Sequence, residues 1–507
     1  MTSALRRPLF YPVLAKLAFP FLVALTFGLG LFLRLADLSN PPLDFHPTRQ
    51  FFGAIRVRAI YQQTAPNIPQ WQRDFSARFI AREAQLEPLI LENISAFLYH
   101  YTGENLAVPR ALSGCFWVLG GFFLFQLMRS LFSLGQSLYT ESRPAALAVL
   151  LFYLFLPYAI SASRSIQPDP LMDLFLLAFW WAFDRWSRSP ADWRWAISAG
   201  LLGGLAIYIK LTAVFFVVGG AIGLLLAHQI LIPAIKHPQT WLLVALGILP
   251  GGLYVYDGLF GRGFLVNEFG GRTIISLWFN PLFYLRWLDK LDNILPLWLL
   301  LLTIVSLLVF TNRPAYRFLT TLWIFYIIFG LIQTHHIASH DYYSLPIIPI
   351  AALGLAPLGQ AFTEQILARV RTNRGRLELF ILVVISLVLI TVQDYLSLRR
   401  SDNRPLAQMY AEIGETLQHQ PGVIAITKDY GYPLFYYGWQ NTSLWKQPSP
   451  ETFNQAFESQ IHEKAYFLVT DLEELARQPQ LSKKLTEYNI LAQKPGYILY
   501  DLKTPSP

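Results

Sequence analysis

Residues 165–228 read SIQPDPLMDLFLLAFWWAFDRWSRSPADWRWAISAGLLGGLAIYIKLTAVFFVVGGAIGLLLAH. Apolar runs occupy about 170–186, 195–210 and 212–233, and Arg185, Arg188 and Arg194 fall around the junction of the first two. Crossing the hydrocarbon core takes roughly 20 apolar residues in a helix. Runs near this length, joined by a short basic loop, read as successive crossings with the loop on the inner side. The two runs flanking Lys210 also read as one broken helix.

The pattern continues in both directions. Further apolar windows lie at about 13–35, 110–132, 144–161, 239–257, 292–310, 316–333, 345–362 and 377–396, which makes about eleven crossings. With the N-terminus inside, Lys236, Arg313, Arg317, Arg369, Arg371, Arg374 and Arg376 all fall in inner loops. The first outer loop breaks the rule with Arg49, Arg56, Arg58, Arg73, Arg78 and Arg82. Long loops translocate largely regardless of charge, so the topology stands.

Composition agrees. The 507 residues are 54% hydrophobic and 14% charged, against roughly 25% charged in soluble domains. Mean hydropathy is +0.38. Arg6 and Arg7 precede an apolar stretch over about 10–35, too long for a signal peptide, so it reads as an uncleaved first helix. The net charge of +8 suits basic residues beside lipid phosphates. No basic stretch lies on a soluble module with base-stacking aromatics, which argues against nucleic acid. Cys115 is the single cysteine, so no disulfide forms within the chain.

The expected fold is an all-α polytopic membrane bundle over residues 1–397 with a small extracytoplasmic α/β domain over 398–507. Residues 36–109 form the first outer loop, where FFGAIRVRAIY and FSARFIAREAQ alternate apolar and basic residues at helical spacing. In the tail, AQMYAEIGETLQH, ETFNQAFESQI and LEELARQPQLSKKLTEY read as helices, and VIAIT, AYFLVT and GYILYDL as strands.

Three polar clusters interrupt this apolar chain. PPLDFHPTRQFF brings Asp44, His46 and Arg49 together just beyond the first helix. A carboxylate there can serve as general base, with the arginine orienting it or meeting an anion. The bland alternative is an interfacial loop with proline turns. SRSIQPDPLMDLF places Asp169 at a helix start with Asp173 one turn on. Asp169 reads as an N-cap before Pro170, as a functional acid, or as both. Two acids at this spacing repel unless a cation intervenes, and Arg164 is the nearest candidate in sequence. QTHHIASHDYYSLPIIP gathers His335, His336, His340, Asp341, Tyr342 and Tyr343. Its readings are substrate or phosphate contact, an aromatic belt, and a divalent-cation site on His336 and His340. Lys210 is a lone cation in an apolar run and must snorkel or meet an anion. Arg262, Glu268 and Arg272 form a looser outer group. No P-loop and no glycine-rich dinucleotide turn occurs, so a nucleotide-bound donor has no visible site.

These segments together resemble the GT-C superfamily of glycosyltransferases that use polyprenyl-phosphate sugars, in particular its protein O-mannosyltransferase and aminoarabinose transferase branch. The resemblance covers about 15–360 and rests on Asp44, EPLILENISAFLYHYTGENLAVPRALSG, SRSIQPDPLM, GLAIYIKLTA and HDYYSLPIIPI in this order. It implies Asp44 as acceptor base, although Phe45 and His46 stand where a second adjacent acid is often found. It further implies Asp169 as the acid of the fourth-helix motif and Lys210 as a contact of the carrier phosphate. Glu87, Arg110, His340 and Tyr343 also match recurrent positions.

On this basis Asp44 and Asp169 are the expected catalytic residues. Lys210, Arg49, His46, Glu87, Arg164, His340, Tyr343 and Arg272 are the expected substrate and lipid-phosphate contacts. The expected partners are a polyprenyl-phosphate sugar, a lipid, glycan or protein acceptor, and the bilayer, with no nucleic acid. No cofactor is assigned and a divalent cation is left open. The working location is a bacterial inner membrane with the site facing outward. A lipid-glycan transporter and a non-catalytic assembly protein are the rival readings. A transporter usually shows paired internal repeats, and none is visible here.

Overall fold

The computed structural model describes residues 10–82, 87–133, 143–266, 273–309, 313–370 and 372–505. Glu268, Arg272 and Arg371 lie outside the described residues. The chain divides into two compact units. One comprises Met1–Leu38, Ala84–Leu91 and Ala107–Arg400; the other comprises Ser39–Glu83, Glu92–Leu106 and Ser401–Pro507.

The described part of the first unit is helical. Each apolar window of the sequence falls on helix, beginning with Phe10–Leu35 and Ala107–Ser133 and ending with Asn373–Leu398. Among the described residues, six helices are long and apolar enough to cross a membrane, or up to eight if each of two bent pairs counts as one span. Arg143–Phe155 and Pro157–Ser163 bend by 61°, while Pro281–Ile294 and the helix starting at Leu297 bend by 93°. Pro157 opens the second helix of the first pair and Pro296 lies in the break of the other, and a proline cannot donate to the helical ladder. Trp193–Ile209 and Ala213–His228 are apolar but shorter. Length and composition therefore give six to eight candidate spans among the described residues, which leaves the expected eleven unconfirmed.

Glycines set how closely these helices pack. A Cβ on Gly204 would meet the carbonyl oxygen of Leu246 at 2.3 Å, and one on Gly200 would meet the Leu243 carbonyl at 2.9 Å. The helix Trp193–Ile209 thus lies backbone to backbone on Pro238–Tyr256, the small-residue contact common between membrane helices. Away from these contacts, Asp184 accepts from Ser130 Oγ and pairs with His228 Nε2 at 2.9 Å, tying three helices together.

The second unit is built on a five-stranded sheet: β1 (Val423–Ile426), β2 (Thr442–Leu444), β3 (Tyr466–Val469), β4 (Tyr488–Lys494) and β5 (Tyr497–Pro505). The order is β2-β1-β3-β5-β4. β1 runs parallel to β2 and β3, and β5 runs antiparallel to β3 and β4. β1 is buried along its whole length. Ile424 and Ile426 join Phe457, Phe467 and Leu481 in one core, and Val423 and Ala425 join Ile413, Leu434 and Leu499 in another. A short strand apolar at every position is what a sheet covered on both faces requires.

The first-loop helices Pro47–Thr64 and Gln70–Arg82, with most of Ile90–Thr102, belong to this same unit. Arg58 is the main tie. Its Nε donates to Glu104 at 2.7 Å and its Nη1 to the Tyr436 carbonyl at 2.6 Å. The guanidinium also lies 3.6 Å from the centroid of the Tyr436 ring. The Tyr436 hydroxyl donates to Glu104 at 2.8 Å. Removing one partner of a buried ion pair leaves the other charge uncompensated. Arg58→Ala is therefore expected to destabilise the second unit by about 3 kcal/mol, read as early loss of tail protection in hydrogen exchange. Unchanged protection would remove Arg58 from this role.

Candidate functional site

In the first unit, the helix Asp169–Arg188 starts at Asp169 itself, and the preceding Pro168 offers no side-chain cap. The Asp169 carboxylate meets a cation instead: Lys210 Nζ donates to Oδ1 at 2.6 Å. Lys210 lies where the helix Trp193–Ile209 ends. Its backbone is extended, with φ −148° and ψ 114°, and the chain becomes helical again at Ala213. The run around Lys210 is thus two helices with a break at the lysine. Both partners are buried, Asp169 at 1% exposure and Lys210 at 5%. Burial of either charge alone costs several kcal/mol, so each makes the other tolerable.

Aromatic rings close around the ammonium. Lys210 Nζ is 5.0 Å from the Tyr343 ring centroid and 5.7 Å from that of Tyr342, within cation–π range. Both tyrosines lie on the 3-10 turn Asp341–Ser344, and His340 directly precedes it. The His336 ring lies 4.8 Å from Tyr343, and His340 exchanges a hydrogen bond with Ser339 Oγ at 2.8 Å. The Tyr158 hydroxyl faces Asp341. The structure thus brings Asp169, Lys210, His340 and Tyr343 together. Asp173, one turn along, is fully buried, and neither carboxylate oxygen has a hydrogen-bond partner among the described residues. No group of three or more His, Cys, Asp or Glu side chains is placed to hold a metal ion among the described residues.

The partner found for Asp169 is Lys210, where the sequence pointed to Arg164. Arg164 is buried and donates to the Ala36 carbonyl. Arg110 donates to the carbonyls of Arg164 and Leu38, both at 3.1 Å. These two arginines satisfy backbone oxygens where the first helix gives way to the chain beyond it. Glu87 is half-buried, three residues before the helix that opens at Ile90.

Asp44, His46 and Arg49 belong to the second unit. Asp44 is exposed, and His46 and Arg49 are half-buried. His46 precedes the helix Pro47–Thr64 in the left-handed region, with φ 44°. Two contacts fix this loop. Gln50 Nε2 donates to the Phe45 carbonyl at 2.6 Å. Thr48 Oγ1 donates at 3.0 Å to Oδ1 of Asp429, from the tail. Burial pushes the Asp429 carboxyl up, opposed by hydrogen bonds from Thr48 and by the nearby charges of Lys428 and His46. Asp429 and Tyr430 are themselves left-handed, with φ 54° and 55°. Such backbones are sparse for residues with a side chain and gather at functional sites.

Sequence reading missed Tyr158, Gln50 and Asp429. Tyr158 and Gln50 carry no local signal, since their contacts are set by tertiary packing. Asp429 stands in KDYG, where Asp and Gly two residues apart mark a turn.

Such a bundle of apolar helices, with a buried acid–lysine pair and a helix-and-sheet unit, is that of a multi-pass membrane protein. Residues 88–256 match the family model "Dolichyl-phosphate-mannose-protein mannosyltransferase". The structure is similar to ArnT from Cupriavidus metallidurans in the apo state, with TM-score 0.54 and 16% identity, covering 96% of this chain and 98% of that one. It is similar to the same protein bound to undecaprenyl phosphate, with TM-score 0.54 and 14% identity over 96% and 97% of the two chains. It is also similar to the oligosaccharyltransferase AglB from Archaeoglobus fulgidus, in complex with an inhibitory peptide and a dolichol-phosphate. That likeness has TM-score 0.53 and 11% identity over 94% of this chain and 73% of that one. No curated protein matches by sequence. These likenesses show a fold shared with ArnT and AglB.

Proposed function

We propose that this protein moves a glycosyl group from a polyprenyl-phosphate donor to an acceptor at the extracytoplasmic face of the membrane. The observation that carries this reading is the buried Asp169–Lys210 pair at a helix break, ringed by Tyr342 and Tyr343. Asp169 holds Lys210 in place through one charge-assisted hydrogen bond, and the ammonium is the proposed contact of a phosphate oxygen. ArnT was solved with undecaprenyl phosphate and AglB with a dolichol-phosphate, and a lipid phosphate is the ligand proposed here.

In the proposed reaction the acceptor oxygen or nitrogen attacks the anomeric carbon and the bond from that carbon to phosphate oxygen breaks. The electron pair leaves on the lipid phosphate, and Asp44 takes the acceptor's proton. One displacement inverts the anomeric centre. Positive charge builds on the sugar, as in glycoside hydrolysis, and negative charge builds on the phosphate. A preorganised donor at such a charge lowers the barrier by about 3 to 4 kcal/mol. A bacterial inner membrane with the site outward is the proposed location.

The test is to reconstitute the purified protein in vesicles with a polyprenyl-phosphate sugar and an acceptor extract. Release of free polyprenyl phosphate with sugar on the acceptor is the expected result. Passage of the intact lipid to the other leaflet without that release would make the protein a transporter instead.

A further inference from the structure

The second unit contains a cleft of about 920 Å³, walled by the helix Gln70–Arg82 on one side and by tail residues around β1 and β2 on the other. Its charged lining has one sign. Arg78, Lys446 and Lys464 border it, with His419, and no Asp or Glu does. Among the described residues none of these three cations has a carboxylate at ion-pair distance; Lys464 Nζ donates to Ser443 Oγ at 2.9 Å. Like-charged walls raise the local concentration of an anionic ligand.

The rest of the lining has a different character. Phe75, Phe79 and Tyr430 present rings, and Gln440, Asn441 and Thr442 present amides and a hydroxyl. Tyr430 is 68% exposed although its backbone is held at φ 55°. A large ring held out to solvent on a strained backbone is poorly explained by folding alone. Ring faces cover the apolar faces of a sugar, amides and hydroxyls meet its hydroxyl groups, and cations meet carboxylate or phosphate substituents. A peptide adding to the sheet would need a long free edge, and β2 has three residues.

We infer that this cleft binds an acidic saccharide, and that the saccharide is part of the acceptor. The acceptor role rests on the glycosyltransferase reading; the binding does not. Tyr430 follows Asp429, which holds Thr48, four residues beyond Asp44. The cleft wall is therefore coupled through one hydrogen bond to the helix that follows the loop bearing the proposed base.

The experiment uses the full-length protein in nanodiscs without donor. Tetragalacturonate, its methyl ester, a phosphorylated oligomannose and tetraglutamate are titrated by intrinsic fluorescence. One or both acidic saccharides should bind, more weakly as salt rises, and the neutral ester should bind at least about 10-fold more weakly, since cations contribute through their charge. The double variant K446E/K464E should lose at least about 10-fold in affinity. Tyr430→Ala should lose about 5-fold, as for a ring contact worth about 1 kcal/mol. Equal thermal unfolding of the variants confirms that they fold. The inference is overturned if neither acidic saccharide binds, if the ester binds equally, if tetraglutamate binds more tightly, or if the folded variants bind like the parent. Saccharide binding without polyprenyl phosphate release in the transfer assay would keep the cleft and reject the proposed reaction. Release with no saccharide binding would do the reverse.

Discussion

Lys210→Met is expected to lower kcat/KM for the lipid-linked donor by about 100-fold or more, the usual effect of deleting one preorganised donor at a developing charge. The same change also threatens folding. It leaves Asp169, 1% exposed, without its counter-ion, and breaking a buried pair costs about 3 to 5 kcal/mol. A second variant separates the effects. Lys210→Met with Asp169→Asn removes both charges, and replacing a buried pair by neutral groups is often tolerated. The double variant should recover most of the lost thermal stability and none of the lost transfer. Single-turnover release of polyprenyl phosphate, read beside a thermal unfolding curve, checks this. A double variant that transfers at the parental rate would show that Lys210 serves only to balance Asp169.

Asp44→Asn should act on chemistry alone. Asp44 is exposed in a loop held by Gln50 and by the Thr48–Asp429 bond, and Asn keeps its size and an acceptor oxygen, so the fold should stand. Removing a general base costs about 10² to 10⁴ in rate. The expected result is that fall in kcat, with donor KM and melting temperature unchanged. Undiminished transfer would exclude Asp44 as the proton acceptor.

Much of the architecture is legible in the sequence because the bilayer imposes long apolar runs, and every such run proved helical. The helix break at Lys210 is legible for the same reason, since a charge amid apolar residues must be answered by structure. The strands β1, β3 and β5 are apolar and announce themselves. β2 does not, being three residues long, and β4 is an edge strand with little burial, so its start was absorbed into the preceding helical pattern. Within the candidate site, Asp169, Lys210, His340 and Tyr343 stand out as polar residues in apolar or aromatic surroundings. What pairs with what is not local: Lys210 answers Asp169 from 41 residues away, and Thr48 answers Asp429 from 381. Arg164 was the nearer cation in sequence, yet the Ala36 carbonyl takes its hydrogen bond.

The grouping of Ser39–Glu83 with Ser401–Pro507 in one compact body carries a rule of parity. Two stretches that fold around shared hydrogen bonds, such as Thr48 to Asp429, must emerge in the same aqueous compartment. The chain between them must then traverse the bilayer an even number of times. With Phe10–Leu35 as one earlier passage, the expected total is odd, and among the counts that length and composition allow for the described residues that expectation selects seven.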